Sequence, residues 1–336
     1  MSFSETTLTV RSAADLATVV PYLLGFRPDD GSIVVVASRG RRIVFAARAD
    51  LPAADAPTSH VPQGLAANLV AVVRRQQPIT DLVLIGYGAD HIDPAVRAVD
   101  EAFTADGLPV RDLLRVTGTR VFTLTCAIPD CCPPQGTPFD PTASPVAAQA
   151  TLAGLVALPD RAAVAARFAP VDGPARDRIR DATTAAATRL TTVTAAGSTT
   201  VDEAGVHAVR DALRHHDAGR RLTDDEVAWL TVLLTRPSVR DLAARLTRPH
   251  DQHVTFWADI TRRADETLVP APATLLALTA WRCGDGALAA MAADRALQVD
   301  PTYRLADLLR QALHAGLPPS AFAHATATDT THHSGQ

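Results

Sequence analysis

Hydrophobic and polar positions in the first 126 residues alternate between strand-like and helix-like periods. Short, β-branched apolar runs at 33–37 and 43–49 predict one hairpin, and runs at 111–116 and 121–126 predict a second. The apolar run at 82–86 predicts a buried strand between them. Helical spacing is found in three segments: 12–24, 64–75 and 94–105. This mixture predicts an α/β sheet domain.

From residue 144 onward the pattern is helical, and capping residues mark several helix starts. Four pairs have the required spacing: Ser144 with Pro145, Thr200 with Glu203, Thr223 with Glu226, and Asp300 with Pro301. The second half is therefore predicted to be all-α. Small residues at Ala289 and Ala296, with Gly284 between two helices, make its end similar to one tetratricopeptide-type helix-turn-helix.

These patterns predict three regions. A mixed α/β sheet domain covers 1–140 and includes a cysteine- and proline-rich loop, and an α-helical domain covers 141–322. The Thr- and His-rich end, 323–336, is predicted to be a disordered tail.

Composition excludes several mechanisms. All 32 basic residues are arginines, so a phosphate-binding lysine, a Schiff-base lysine and a Ser-Lys dyad are excluded. The net charge of −4 does not favour nucleic acid or an anionic membrane surface as a partner. No signal peptide and no membrane span is recognised, which predicts a cytoplasmic protein whose four cysteines are thiols or metal ligands.

The segment CAIPDCCPPQGTP carries Cys126, Cys131 and Cys132, and it is the strongest candidate for chemistry. Three thiolates can bind zinc, with Cys283 or His91 as a fourth ligand, although the spacing differs from the usual C-x2-C knuckle. A reactive thiol is a second interpretation. A third is a rigid connection between the two domains, stiffened by its prolines and filled by the cysteines.

Two further polar groups are candidate ligand sites. Gly86, Tyr87 and Gly88 follow a buried strand and precede a helix, where backbone amides can bind an anion. Arg27, Asp29 and Asp30 lie in the first predicted turn, where they can line a cleft. The alternatives are helix-start caps at Asp90 and Asp93, whose negative charge opposes an anion beside the glycines, and a solvated turn for the charged residues.

Histidines occur in two clusters, at 215–216 and at His250 and His253. Adjacent histidines point to different sides of a helix, and the second pair has no evident carboxylate partner in the sequence. Both clusters are therefore interpreted as solvated helix ends. The segment 237–246 has the look of one helix of a DNA-binding helix-turn-helix, but an amphipathic bundle helix is favoured.

Three motifs carry a resemblance to a known family: VPYLLGF at 20–26, CCPPQGTP at 131–138 and AWRCGDGALA at 280–289. Through them the chain resembles the actinobacterial domain-of-unknown-function family numbered 4192, over nearly its whole length. The family supplies no established activity. Ile128 and Gln135 stand where the family usually has an aspartate and a glutamate, so no role that needs those carboxylates carries over.

Two functional hypotheses follow, and a third ranks below them. The first is a ligand-binding or adaptor module with a cleft between the α/β and helical halves, acting on an unidentified small molecule or protein. The second is a thiol- or zinc-dependent hydrolase or transferase centred on the cysteine loop. The third is a nucleic-acid-binding regulator.

Overall fold

The computed structural model describes residues 8–51, 63–195 and 197–320. The chain divides into two compact units, one running to Ala163 and resuming at Ala315, the other spanning Val164–His314. The observed division thus falls after the sequence-predicted boundary at 140/141. The predicted tail, 323–336, lies outside the described residues.

Both predicted fold components are present. The strands are β1 (Ser32–Arg39), β2 (Arg42–Asp50), β3 (Asp81–Tyr87), β4 (Val110–Thr117), β5 (Arg120–Thr123) and β6 (Thr137–Pro138). The helices of the first unit are α1 (Ala13–Leu24), α2 (Gln63–Arg74), α3 (Asp93–Ala105) and α4 (Pro145–Leu152), and α5 (Arg161–Ala166) crosses into the second. The remaining helices are α6 (Gly173–Ala195), α7 (Ser198–Asp217), α8 (Asp224–Leu233), α9 (Pro237–Leu246), α10 (Asp251–Arg263), α11 (Pro270–Arg282), α12 (Gly286–Val299) and α13 (Arg304–His314).

The six strands form one mixed sheet in the order β2-β1-β3-β4-β5-β6. Only the β3–β4 pair is parallel, because α3 carries the chain back to the other end of the sheet between these strands. Both predicted hairpins, β1–β2 and β4–β5, are confirmed. The short strand β6 was not predicted, and it pairs antiparallel with β5.

Helices cover both faces of the sheet because its central strands are apolar on both sides. On one face Leu84 of β3 packs with Val73 of α2 and Phe103 of α3. On the other face Ile85 packs with Val20 of α1 and Val146 of α4. Each such fully buried side chain contributes roughly 1.5–3 kcal/mol relative to an exposed one.

Two of the four predicted helix starts are confirmed, and two need correction. Ser144 caps α4, and Thr223 with Glu226 forms a complete capping box at α8, as predicted. The Thr200 prediction was wrong, because α7 already begins at Ser198. The Asp300 prediction was also wrong: Asp300 ends α12, and its carboxylate accepts hydrogen bonds within the turn that precedes α13.

The second unit is helical throughout its described part, and α11 and α12 form the predicted helix-turn-helix with Ala289 and Ala296 fully buried. A buried arginine joins α10 to α8. Arg263, at the end of α10, donates to Asp224 of α8 at 2.5 Å and to Asp259 of its own helix at 3.1 Å. Among the described residues, no helix is both long and apolar enough to cross a membrane.

The β5–β6 hairpin depends on a close contact at Phe122. The Arg115 guanidinium lies 4.1 Å from the ring centroid, and Asp93 holds this guanidinium by an ion pair of 2.8 Å. Gly136, just before β6, approaches the same ring so closely that an added Cβ would lie 2.8 Å from two ring carbons. Any larger residue at this position would therefore require the Phe122 ring or the returning backbone to shift.

We expect Gly136→Ala to destabilise the first unit more than Gly118→Ala does. Both glycines have positive φ, +75° and +57°, so each alanine introduces backbone strain of roughly 1–2 kcal/mol. Gly118 has no atom within 4 Å of an added Cβ, whereas Gly136 meets Phe122, which adds roughly 1–3 kcal/mol of overpacking. Urea unfolding of both variants measures the difference, and equal losses would contradict the contact.

A second prediction concerns acid stability of the helical unit. The hydrogen bond from Arg220 lowers the pKa of Glu226 to about 2, so this carboxylate stabilises the fold above its unfolded pKa of about 4.3 and loses that contribution as pH falls toward 2. Glu226→Gln keeps a capping-box side chain but removes the charge. Because the pair is partly exposed, we expect the variant to lose only about 0.2–1 kcal/mol at pH 7.

Urea midpoints of the parent and of Glu226→Gln should therefore converge between pH 5 and about 2. A constant difference over that range would show that the ionised carboxylate is not the source of the stabilisation.

Candidate functional site

The cysteine loop, residues 124–136, connects β5 to β6, and arginine side chains hold both of its ends. Arg97 of α3 donates to the carbonyl oxygen of Leu124 at 3.1 Å. Arg120 of β5 donates to the carbonyl oxygens of Gln135 and Gly136, each at 3.0 Å. The loop is thus a hairpin that closes within the first unit. It does not form the predicted connection between the two domains.

A tight turn inside this loop brings the three cysteines together. The carbonyl oxygen of Ile128 accepts hydrogen bonds from the backbone N–H groups of Cys131 at 3.3 Å and Cys132 at 2.8 Å. The N–H of Gly136 donates to the carbonyl of Pro133 at 2.8 Å, which starts the return to β6. The sulfurs are therefore positioned by backbone hydrogen bonds.

The three sulfur atoms form a compact cluster at the surface. Sγ of Cys131 lies 3.3 Å from that of Cys126 and 3.6 Å from that of Cys132, and all three are within 4.8 Å of one another. Cys131 is exposed and the other two are half-buried. A tetrahedral zinc–thiolate site with bonds of about 2.3 Å has sulfurs about 3.8 Å apart, so the cluster is close to a ligand geometry.

Hydrogen bonding shifts the pKa values of Cys126 and Cys131 in opposite directions. The backbone N–H of Ile128 hydrogen-bonds to Cys126 and, together with the neighbouring thiols, lowers the pKa of Cys126. The hydrogen bonds to Cys126 and Cys132 raise the pKa of Cys131 to about 11. In the metal-free cluster, Cys126 therefore carries negative charge more readily than Cys131, which keeps its proton.

Within the described residues, no other group of three or more potential metal ligands lies within this distance, and neither proposed fourth ligand belongs to the cluster. His91 lies in a 3-10 turn before α3. Cys283 ends α11 in the helical unit, where burial raises its pKa to about 11. The cluster offers three protein ligands.

The glycine segment at the end of β3 is used for packing. An added Cβ at Gly86 would lie 2.6 Å from Val96 of α3, so this glycine permits the helix to approach the sheet. The N–H of Gly88 donates to the carbonyl of Val116 at 3.0 Å, and its carbonyl accepts from the Thr117 hydroxyl. The Gly88 amide is therefore not free to bind an anion.

Tyr87 points into the core between α1 and the sheet. Its hydroxyl is buried without a hydrogen-bond partner among the described residues, and burial raises its pKa. The ring is thus a core side chain. Its position between two glycines in the sequence does not indicate this burial.

The first turn lies beside this glycine segment, so the structure brings these two predicted groups together. The N–H of Gly31 donates to the carbonyl of Tyr87 at 2.7 Å. Asp29 pairs with Arg48 at 3.5 Å, and the Arg27 N–H donates to the carbonyl of Leu158. Asp30 is exposed. The cysteine loop leaves β5 beside Leu113 of β4, away from the strand end at Tyr87.

His253 has a carboxylate partner that the sequence did not reveal. Its Nε2 lies 3.1 Å from Oδ1 of Asp217, at the end of α7, and its Nδ1 accepts from the backbone N–H of Arg248 at 2.8 Å. The two residues line a depression of about 500 Å³. Because both ring nitrogens are engaged, neither is available to bind a metal or transfer a proton.

Comparison with known proteins identifies the family of the chain. No curated protein and no solved structure matches the chain. The family model described as domain of unknown function (DUF4192) matches residues 14–320. The resemblance inferred from the three motifs is therefore confirmed, and the chain belongs to the DUF4192 family.

Proposed function

We propose that this protein binds one zinc ion through the thiolates of Cys126, Cys131 and Cys132. The observation that carries the proposal is the clustering of three sulfurs within 4.8 Å at the surface of a closed hairpin loop. Zinc would displace the protons of the three thiols, and its divalent charge would then offset the repulsion among the thiolates.

Zinc is favoured over other metals by the ligand type. Thiolates are soft ligands, which select zinc, copper(I) or iron–sulfur clusters over calcium and magnesium. Iron–sulfur clusters are normally held by four cysteines, whereas three protein ligands leave one position of a zinc tetrahedron open. The Ile128 N–H that bonds to Cys126 supplies the outer hydrogen bond that commonly orients a metal ligand.

The open fourth position supports a binding role. Three thiolates give the zinc complex a net charge of about −1, which reduces its capacity to polarise water. Among the described residues, no histidine or carboxylate belongs to the three-sulfur cluster as a further metal ligand. We therefore favour a binding module over the hydrolase or transferase, with its site at the cysteine loop and not at the expected cleft between the two halves.

The surface around the open position is suited to recognition. The Ile128 side chain, beside the cluster, is 62% exposed, which is high for a large apolar residue. A bound molecule that donates a nitrogen or sulfur atom to zinc would also cover this side chain. The proposal places the protein in the cytoplasm, where reduced thiols persist.

Zinc binding to the reduced full-length chain tests this function. We expect one equivalent of zinc in the parent, and an affinity loss of at least about 100-fold when Cys126, Cys131 or Cys132 is replaced by serine, because even indirect ligand partners contribute 10–100-fold. Cys283→Ser is the matched control and should bind zinc like the parent. Competition with a chromogenic chelator measures the affinities.

Circular dichroism of each variant shows whether a loss of zinc reflects a loss of fold. Zinc well below one equivalent in the reduced parent would overturn the proposal, as would equal affinity losses for Cys283→Ser and the three loop variants. Cobalt substitution gives a second measurement, because thiolate ligands produce intense charge-transfer absorption that the loop variants should weaken.

A further inference from the structure

The sulfurs of Cys126 and Cys131 are the closest pair in the cluster, at 3.3 Å. A disulfide bond of about 2.05 Å would form after an approach of little more than 1 Å, which a surface loop can accommodate. Cys131 is exposed, so a small oxidant reaches the pair directly. Distance and access together favour oxidation of this pair.

The neighbouring pair, Cys131 and Cys132, is also close, at 3.6 Å, but its backbone does not suit a disulfide. Adjacent Cα atoms are about 3.8 Å apart across a trans peptide, shorter than the usual range of about 4.4–6.8 Å for bridged cysteines. Cys126 is separated from Cys131 by four residues and is free of this restriction. The remaining pair, Cys126 and Cys132, is also free of it, with sulfurs within 4.8 Å, so the 3.3 Å contact is what favours Cys126 with Cys131.

We propose that a hydroperoxide oxidises Cys126 and Cys131 to a disulfide and that this reaction switches the cysteine loop between a metal-binding and a metal-free state. The disulfide requires only the two thiols, whereas the release of zinc rests on the proposed function. With two of its three sulfur ligands removed, zinc keeps only Cys132 and dissociates.

The reaction is balanced by the peroxide alone. A thiolate of the pair attacks one peroxide oxygen, the O–O bond breaks, and a sulfenic acid forms with release of hydroxide or alkoxide. The second thiolate attacks the sulfenic sulfur, the S–S bond forms and hydroxide leaves. Two electrons pass from the sulfurs to the peroxide, and a dithiol reductant reverses the change.

The surrounding loop supports a reversible change. Both ends of residues 124–136 remain held by Arg97 and Arg120, so closing the bridge does not require the sheet to move. The half-buried Cys132 is left as a single thiol after oxidation. Cys283, at the end of α11, provides an internal reference because it is not a member of the cluster.

The test treats the reduced full-length chain with hydrogen peroxide, with and without bound zinc. We expect an intact mass lower by two hydrogen atoms, a peptide cross-linked between Cys126 and Cys131, and one zinc ion released for each disulfide formed. Cys126→Ser and Cys131→Ser should each lose the disulfide, and Cys283→Ser should retain it. A dithiol should restore both the mass and zinc binding.

Cys132→Ser separates this proposal from the zinc proposal. It removes a zinc ligand but retains the reacting pair, so it should still form the Cys126–Cys131 disulfide in the absence of metal. A disulfide in this variant and in a parent that binds no zinc would support the switch chemistry and overturn only the metal site. Sulfinic or sulfonic products without the disulfide, or a bridge to Cys283, would overturn the switch.

Discussion

The pairing of β6 with β5 is the constraint on which the candidate site depends. Two residues, Thr137 and Pro138, return the chain to the sheet edge and thereby fix the second end of the cysteine loop. Without that return, the loop would be a long, open connection in which three sulfurs meet only at an entropic cost. The close contact of Gly136 with Phe122 makes the return possible.

This arrangement places the three thiols at an edge of the sheet, whereas the side chains of its central strands only pack against helices. The central strands are buried on both faces by helices, and the glycine and tyrosine at the end of β3 serve that packing. Arg115 links the two regions, because it pairs with Asp93 at the start of α3 and lies over Phe122. A rigid core thus supports a surface loop that carries one exposed and two half-buried thiols, a common division between scaffold and function.

The sequence pattern predicted much of this fold because most of its elements form between residues that are near one another in the chain. Both hairpins, the sheet-to-helix order and the Ser144 and Thr223 caps follow from neighbouring residues. The strand β6 was missed because two residues, one of them proline, carry no strand pattern and pair only through tertiary structure. Asp217 and His253 are joined across two helices, and no spacing in the sequence links them.

The sequence also identified the candidate cysteines but not their arrangement. The order C-x4-C-C fits no standard zinc spacing. The three sulfurs converge because the chain turns at Ile128, and the sequence pattern does not predict this turn. The interpretation as an interdomain connection failed for the same reason as β6, since the return to β5 is a tertiary contact. Proline content alone does not distinguish a linker from a closed loop.

X-ray absorption at the zinc edge of the reduced, zinc-loaded protein tests the central claim most directly, because it reports the ligands themselves. The account predicts three sulfur neighbours at about 2.3 Å and one further ligand, which is a lighter atom at about 2.0–2.1 Å when solvent fills the open position. A first shell made mainly of nitrogen and oxygen atoms would contradict it, because the metal would then be bound away from the cysteine loop.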